Sequence, residues 1–198
     1  MTSAINYTAQ ELQEMGIRCG DAVAVHRTVQ FFNPQSIVLG HHVRIDCFCV
    51  ISAGKPVVVG NHVHIAAGVS LFGGAGLEIA SFAGLSARVS VFTASDDYTD
   101  GYLTNPTVPD LYKKVHQAPV AIKEHVIVGA GSVILPGVTI ARGAAIGALT
   151  LVNKDVAEFN ILCGNPGRVV SKRNRERLDA LEADFLRASN QAPLPPAS

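Results

Sequence analysis

The stretch "IKEHVIVGAGSVILPGVTIARGAAIGALTLV", Ile122 to Val152, decides the fold. Ile122, Val128, Ile134, Ile140, Ile146 and Val152 recur at every sixth position. A period of six is neither the 3.6 of a helix nor the 2 of a half-buried strand, and each interior glycine would cost a helix about 1 kcal/mol. A short unit carrying one apolar residue buries it only by stacking on copies of itself. The spacing therefore predicts a solenoid of triangular coils, with three short strands per turn that each send one apolar side chain inward.

Upstream, the same rule organises rows of twenty residues: Leu39, Ile45 and Ile51, then Val59, Ile65 and Leu71, then Ile79, Leu85 and Val91. Cys19, Val25 and Phe31 fit as an earlier row. The two residues beyond three sixes fall at one corner, in "FFNPQSIV", "ISAGKPVV" and "LFGGAGLE". Gly commonly follows the leading apolar residue, as in "LGHHVR" and "VGNHVH", and such glycines are expected to take corner conformations that larger residues resist.

The fourth octet would be "VFTASDDY", but the next rung begins only at Ile122. A loop over 96-119 is therefore inserted at an existing corner. Long loops in compact domains are mostly functional or disordered. This one carries Tyr98, Tyr102, Leu103, Leu111 and Tyr112, the makings of a segment that packs on something. The expected organisation is an N-terminal helical segment over 1-18, the solenoid over 19-170, a C-terminal helix over 171-189 and a disordered tail over 190-198. "TAQE", from Thr8 to Glu11, reads as a capping box, and Leu178, Leu181 and Phe185 stand at helical spacing.

Lys plus Arg equals Asp plus Glu at 16 each, so no basic stripe recommends nucleic acid. With 48% hydrophobic and 16% charged residues, the chain is expected to self-associate. No apolar run is long enough to span a membrane, and the N-terminus lacks a secretory pattern, which makes the cytosol the expected compartment. Cys19, Cys47, Cys49 and Cys163 form no CxxC pair and read as reduced thiols.

The hexapeptide repeats, the long corner loop and the closing "AGSVILPGVTIARGAAIGALTLVNKDV...CGNPGRVV" together resemble the left-handed β-helix acyltransferases. The likeness covers roughly residues 19 to 172 and lies nearest the galactoside, maltose and xenobiotic O-acetyltransferases and the nucleotide-amino-sugar acetyltransferases. It implies an all-β solenoid, a left-handed parallel β-helix, assembled as a homotrimer and using acetyl-CoA as co-substrate without a metal. It also implies a pantetheine groove along Ala130 and Ala148, with Asn153, Lys154 and Arg168 near the phosphates. Small side chains permit close approach and Lys and Arg suit phosphate, although a corner that simply needs a small residue explains the two alanines equally well.

Acyl transfer requires the acceptor to lose a proton as it attacks, and these enzymes normally supply a His as base. In the sugar O-acetyltransferases that His begins the loop, in segments such as "TATHP". Here the matching segment is "TASDD", which puts Asp96 in its place. Three readings follow. Asp96 or Asp97 serves as base, which suits an amine acceptor better than a hydroxyl. A His from elsewhere serves, His64 on an earlier coil or His116 where the loop returns. Or the Asp pair is a solvated turn. His26, His41, His42, His62 and His125 take outward positions and read as solvated surface residues.

The leading expectation is an acetyl-CoA-dependent transferase acting on a sugar, preferably the amine of a nucleotide-linked amino-deoxy sugar in O-antigen or capsule synthesis. Sugar O-acetylation is the alternative. A zinc enzyme of the γ-carbonic anhydrase type would need three converging histidines, and the chain has no HxxxxH pair. A non-catalytic scaffold gains nothing from a long insertion at one corner.

Overall fold

The computed structural model describes residues 5–189; the tail expected to be disordered, 190-198, lies outside them. The hexapeptide spacing becomes three parallel sheets arranged as the faces of a prism. The first sheet stacks Arg18–Cys19, Ile37–Leu39, Val57–Val59, Leu77–Ile79, Val120–Ile122 and Thr139–Ile140. The second runs from Ala24–Val25 through His64–Ile65, Gly84–Leu85 and Ile127–Val128 to Asn160–Cys163. The third runs from Gln30–Phe32 through Ser70–Phe72 and Ser90–Phe92 to Leu151–Val152. This is a left-handed parallel β-helix.

Register follows the sixth-residue columns. Leu39, Val59, Ile79, Ile122 and Ile140 are successive partners in the first sheet. Val25, Ile45, Ile65, Leu85, Val128 and Ile146 are partners in the second. These side chains meet on the axis, at most 3% exposed, and form one continuous core. Burying each one contributes roughly 1.5–3 kcal/mol.

The glycines after the leading apolar residue have a different reason from the expected one. Gly40, Gly60 and Gly129 carry no positive φ; a Cβ on Gly60 would stand 2.5 Å from the Ser81 nitrogen, and one on Gly129 2.4 Å from the Ala148 nitrogen. These positions need space, because the backbone of the next coil presses on them. The left-handed corner conformation instead falls on Ala22, His42, His62, Phe82 and His125 at one corner, and on Phe48, Arg88 and Leu149 at another. Large residues tolerate it there because their side chains point outward and stack on their neighbours.

That stacking corrects the reading of His62 and His125 as solvated, while His42 stays exposed at the end of the column. His42, His62, Phe82 and His125 form a column of near-parallel rings with centroids 4.7, 5.2 and 4.8 Å apart. The C-terminal helix, Arg175–Ser189, lies over it, with Phe185 edge-on to His62 and Phe82 at 5.0 and 5.6 Å. Arg142 from the sixth coil reaches Asp179 at 2.7 Å and Glu182 at 2.5 Å. His125, its side chain only 12% exposed, lies 2.8 Å from Glu182, at an angle outside hydrogen-bond geometry. His41 is likewise engaged, accepting the Asp21 N–H at 3.0 Å.

At the other end Thr8 and Glu11 form the capping box of the short helix Ala9–Glu14, which drives buried Leu12 against the first coil.

Candidate active site

The insertion leaves the third sheet at Phe92 and turns into a hairpin. Ala94–Asp96 pairs antiparallel with Val115–Gln117, setting Ser95 opposite His116 and Asp96 opposite Val115. Between this hairpin and the next coils lies a cleft of about 690 Å³ lined by Asp96, Asp97, His116, Leu135 and Asn153 among others. Four residues singled out from the sequence thus share one cleft.

The two aspartates have different surroundings. Asp97 pairs with Lys114 at 2.8 Å and accepts hydrogen bonds from the Thr99 hydroxyl at 2.7 Å and the Thr99 N–H at 3.0 Å. The Lys114 ammonium first, and the Thr99 donors after it, hold this carboxyl far below the usual carboxylate range. Lys114 also reaches Asp100 at 3.0 Å, and the two acids raise its own pKa well above that of an ordinary lysine. Asp96 accepts only the Asn105 N–H, at 3.0 Å, on Oδ2. No cation pairs with it among the described residues.

The remaining candidates lie elsewhere. Ala130 and Ala148 are exposed on the corner between the second and third sheets, in a groove of about 740 Å³ that also holds Phe48, Arg88 and Leu149. The backbone N–H groups of Ala67, Ala87, Ala130 and Ala148 find no backbone acceptor among the described residues. All four residues line the same groove. His64 stands on the outer face of the second sheet, its Nε2 2.8 Å from Asp46, away from the loop cleft of the same chain. Lys154 is exposed beside Asn153, and Arg168 is exposed on the strand Arg168–Lys172 that closes the second sheet.

Comparison with known proteins gives this arrangement its context. The chain is 38% identical over 177 residues to the dTDP-4-amino-4,6-dideoxy-D-glucose acyltransferase of Escherichia coli, across 88% of this chain and 92% of that one. The chain belongs to the hexapeptide-repeat acyltransferases. The crystal structure of AntD, an N-acyltransferase from Bacillus cereus in complex with dTDP and 3-hydroxybutyryl-CoA, superposes with a TM-score of 0.89 at 37% identity, covering 94% of this chain and 99% of that one. A variant of AntD in complex with dTDP-4-amino-4,6-dideoxyglucose and coenzyme A superposes with a TM-score of 0.87 at 36% identity, over 93% and 98% of the two chains. No protein-family model matches the chain.

In this acyltransferase the residues invisible to sequence reasoning are those joined across the hairpin. Lys114 stands 17 residues from Asp97 in the chain, and nothing in their spacing announces the contact. Among the described residues no three His, Cys, Asp or Glu side chains converge as a metal would require, and no helix is long and apolar enough to cross a membrane.

Proposed function

We propose that this acyltransferase moves an acyl group from acyl-coenzyme A to the amine of a nucleotide-linked amino-dideoxy sugar, with Asp96 as the proton acceptor. The amine nitrogen attacks the thioester carbonyl, the C–N bond forms, the tetrahedral intermediate expels the thiolate of coenzyme A, and the amine proton passes to Asp96. An amine of near-neutral pKa suits a weak base such as a carboxylate. The observation that carries the reading is the contrast between the two aspartates: Asp97 is locked to Lys114, whereas Asp96 faces the cleft with one backbone donor and no cation.

Two further facts support it. One relative is named for acting on dTDP-4-amino-4,6-dideoxy-D-glucose, and a variant of AntD is seen in complex with dTDP-4-amino-4,6-dideoxyglucose. Other structures of AntD carry substitutions at one aspartate and at one serine ten residues before it, and here Ser86 stands ten residues before Asp96. The corner groove fits the pantetheine arm of coenzyme A in its chemistry, with small exposed Ala130 and Ala148 and backbone N–H groups that lack a backbone acceptor among the described residues; exposed Asn153, Lys154 and Arg168, outside the lining of that groove, have the chemistry to meet the phosphates. Five exposed apolar residues on the loop, Tyr98, Tyr102, Leu103, Leu111 and Tyr112, support a homotrimer in which the loop packs on a neighbouring subunit. Four free thiols agree with a cytosolic setting.

Asp96→Asn is expected to lower kcat by about 10²–10⁴ while leaving the Kd for coenzyme A unchanged. Unchanged turnover would remove Asp96 as the base. His116 lines the same cleft, which keeps O-acylation as a second reading. Paired amino and hydroxy sugar acceptors, assayed with the wild type and His116→Ala, separate the two.

A further inference from the structure

All the glycines but two have a positive φ or a Cβ direction filled by a neighbouring residue at under 3.0 Å. The exceptions are Gly74, whose Cβ would make an ordinary contact at 3.8 Å, and Gly84. Gly84 has neither: its φ is ordinary, and a Cβ placed on it would meet nothing within 4 Å. It lies in a strand, Gly84–Leu85, where glycine costs backbone entropy and side-chain packing. What its missing side chain leaves is a slot of about 190 Å³ on the outer face of the second sheet.

The slot has defined walls. His64, Gly84 and Ile127 are register partners on three successive rungs, so His64 and Ile127 flank a rung that carries no side chain. Rungs about 4.8 Å apart leave about 9.5 Å between the flanking positions. At the adjacent corner the same rungs hold His62, Phe82 and His125 stacked at 5.2 and 4.8 Å. The spacing of this solenoid is therefore the spacing at which flat rings stack, and at Gly84 the central ring is missing. Asp46 sits 2.8 Å from His64 Nε2 and is itself tied to Arg44 at 2.7 Å. A donor on Nε2 leaves Nδ1 as an acceptor. Ser86 adds a hydroxyl to the lining.

We propose that the slot at Gly84 seats the flat heterocyclic base of a nucleotide, packed between His64 and Ile127, with an N–H of the base, on the ring or on an exocyclic amine, donating to His64 Nδ1. The assignment rests on the reading of the chain as an acyltransferase with a nucleotide-sugar acceptor. The base is then either the pyrimidine of that acceptor or the adenine of coenzyme A, which share this chemistry.

Gly84→Val fills the slot without a clash. Calorimetric titration of the intact protein with dTDP, and separately with adenosine 3′,5′-diphosphate, reads out each base. The variant is expected to melt no lower than wild type and to lose at least tenfold in affinity for one probe while keeping the other. The affected probe identifies the base. His64→Ala should weaken the same probe several-fold. Wild-type affinity of Gly84→Val for both probes overturns the proposal, and so does loss of both. A change of oligomeric state in Gly84→Val also overturns it, because the slot then holds a neighbouring subunit. If the wild type binds neither probe, the nucleotide-sugar reading falls and the slot with it.

Discussion

Gly60→Ala adds one methyl where two coils touch, and the structure indicates what that costs. The new Cβ would stand 2.5 Å from the Ser81 nitrogen and 2.9 Å from the Ala80 carbonyl carbon. Both neighbours are backbone, held in ladders above and below, so neither swings aside as a side-chain tip would. Relief requires the coils to separate locally by most of an ångström, which stretches the Gly60 N–H bond to the Ile79 carbonyl at 2.7 Å and the Asn61 N–H bond to the Ser81 hydroxyl at 2.9 Å. Overpacking costs about 1–3 kcal/mol, and each weakened hydrogen bond up to about 1 kcal/mol. A total near 3 kcal/mol lowers the melting temperature of a domain of this size by about 6–12 °C. Scanning calorimetry or circular dichroism melts check it, with Gly84→Ala as the control. That second change relieves a strand of its glycine without any contact and should raise stability by about 0.5–1 kcal/mol. Equal melting temperatures for Gly60→Ala and the wild type would refute the close-approach explanation of the corner glycines.

Lys114→Met should free the Asp97 turn and speed proteolysis within the hairpin at neutral pH, while the far-ultraviolet circular dichroism of the coils stays unchanged. The same clasp has a pH window. Asp97 has a lowered pKa and Lys114 a raised one. The carboxylate contribution is present above about pH 4, its unfolded value, and is lost as pH falls through the folded pKa below that. The ammonium contribution is present below about pH 10 and is lost as pH rises through the folded pKa above that. Wild-type protease resistance of the hairpin should therefore stay flat between about pH 5 and 9. Arg142→Met removes the Arg142 ion pairs to Asp179 and Glu182 and leaves His125 beside Glu182; amide exchange should quicken along Arg175–Ser189 and stay slow in the coils. Phe185→Ala should do the same by stripping the edge contact to His62 and Phe82, and slow exchange of the helix in both variants would show that other contacts hold it.

The solenoid was legible because its signal is one-dimensional. Each rung repeats the demand of the last, so the column from Ile122 to Val152 can be read without knowing what else it touches. The insertion was legible for the same reason, as a gap in the count between Val91 and Ile122. The site was legible in part. Asp96, Asp97, His116 and Asn153 do meet in one cleft, because the hairpin returns to the corner it left. The sequence could not rank Asp96 against Asp97, since that distinction lies in Lys114 across the hairpin. His64, a fellow candidate, stands on a different face of the prism.

What the sequence by itself determined is the period, and with it the inward columns, the corners and the place where the loop departs, because those depend only on which residue comes six positions later. What the tertiary structure decided is everything that lies between coils: the glycines kept for close approach, the His and Phe rings stacked from rung to rung, the carboxylate that is held and the one that is not, and the empty rung at Gly84. Those contacts join residues about seventeen or more positions apart at spacings of a few ångströms, and only the folded stack sets their distances.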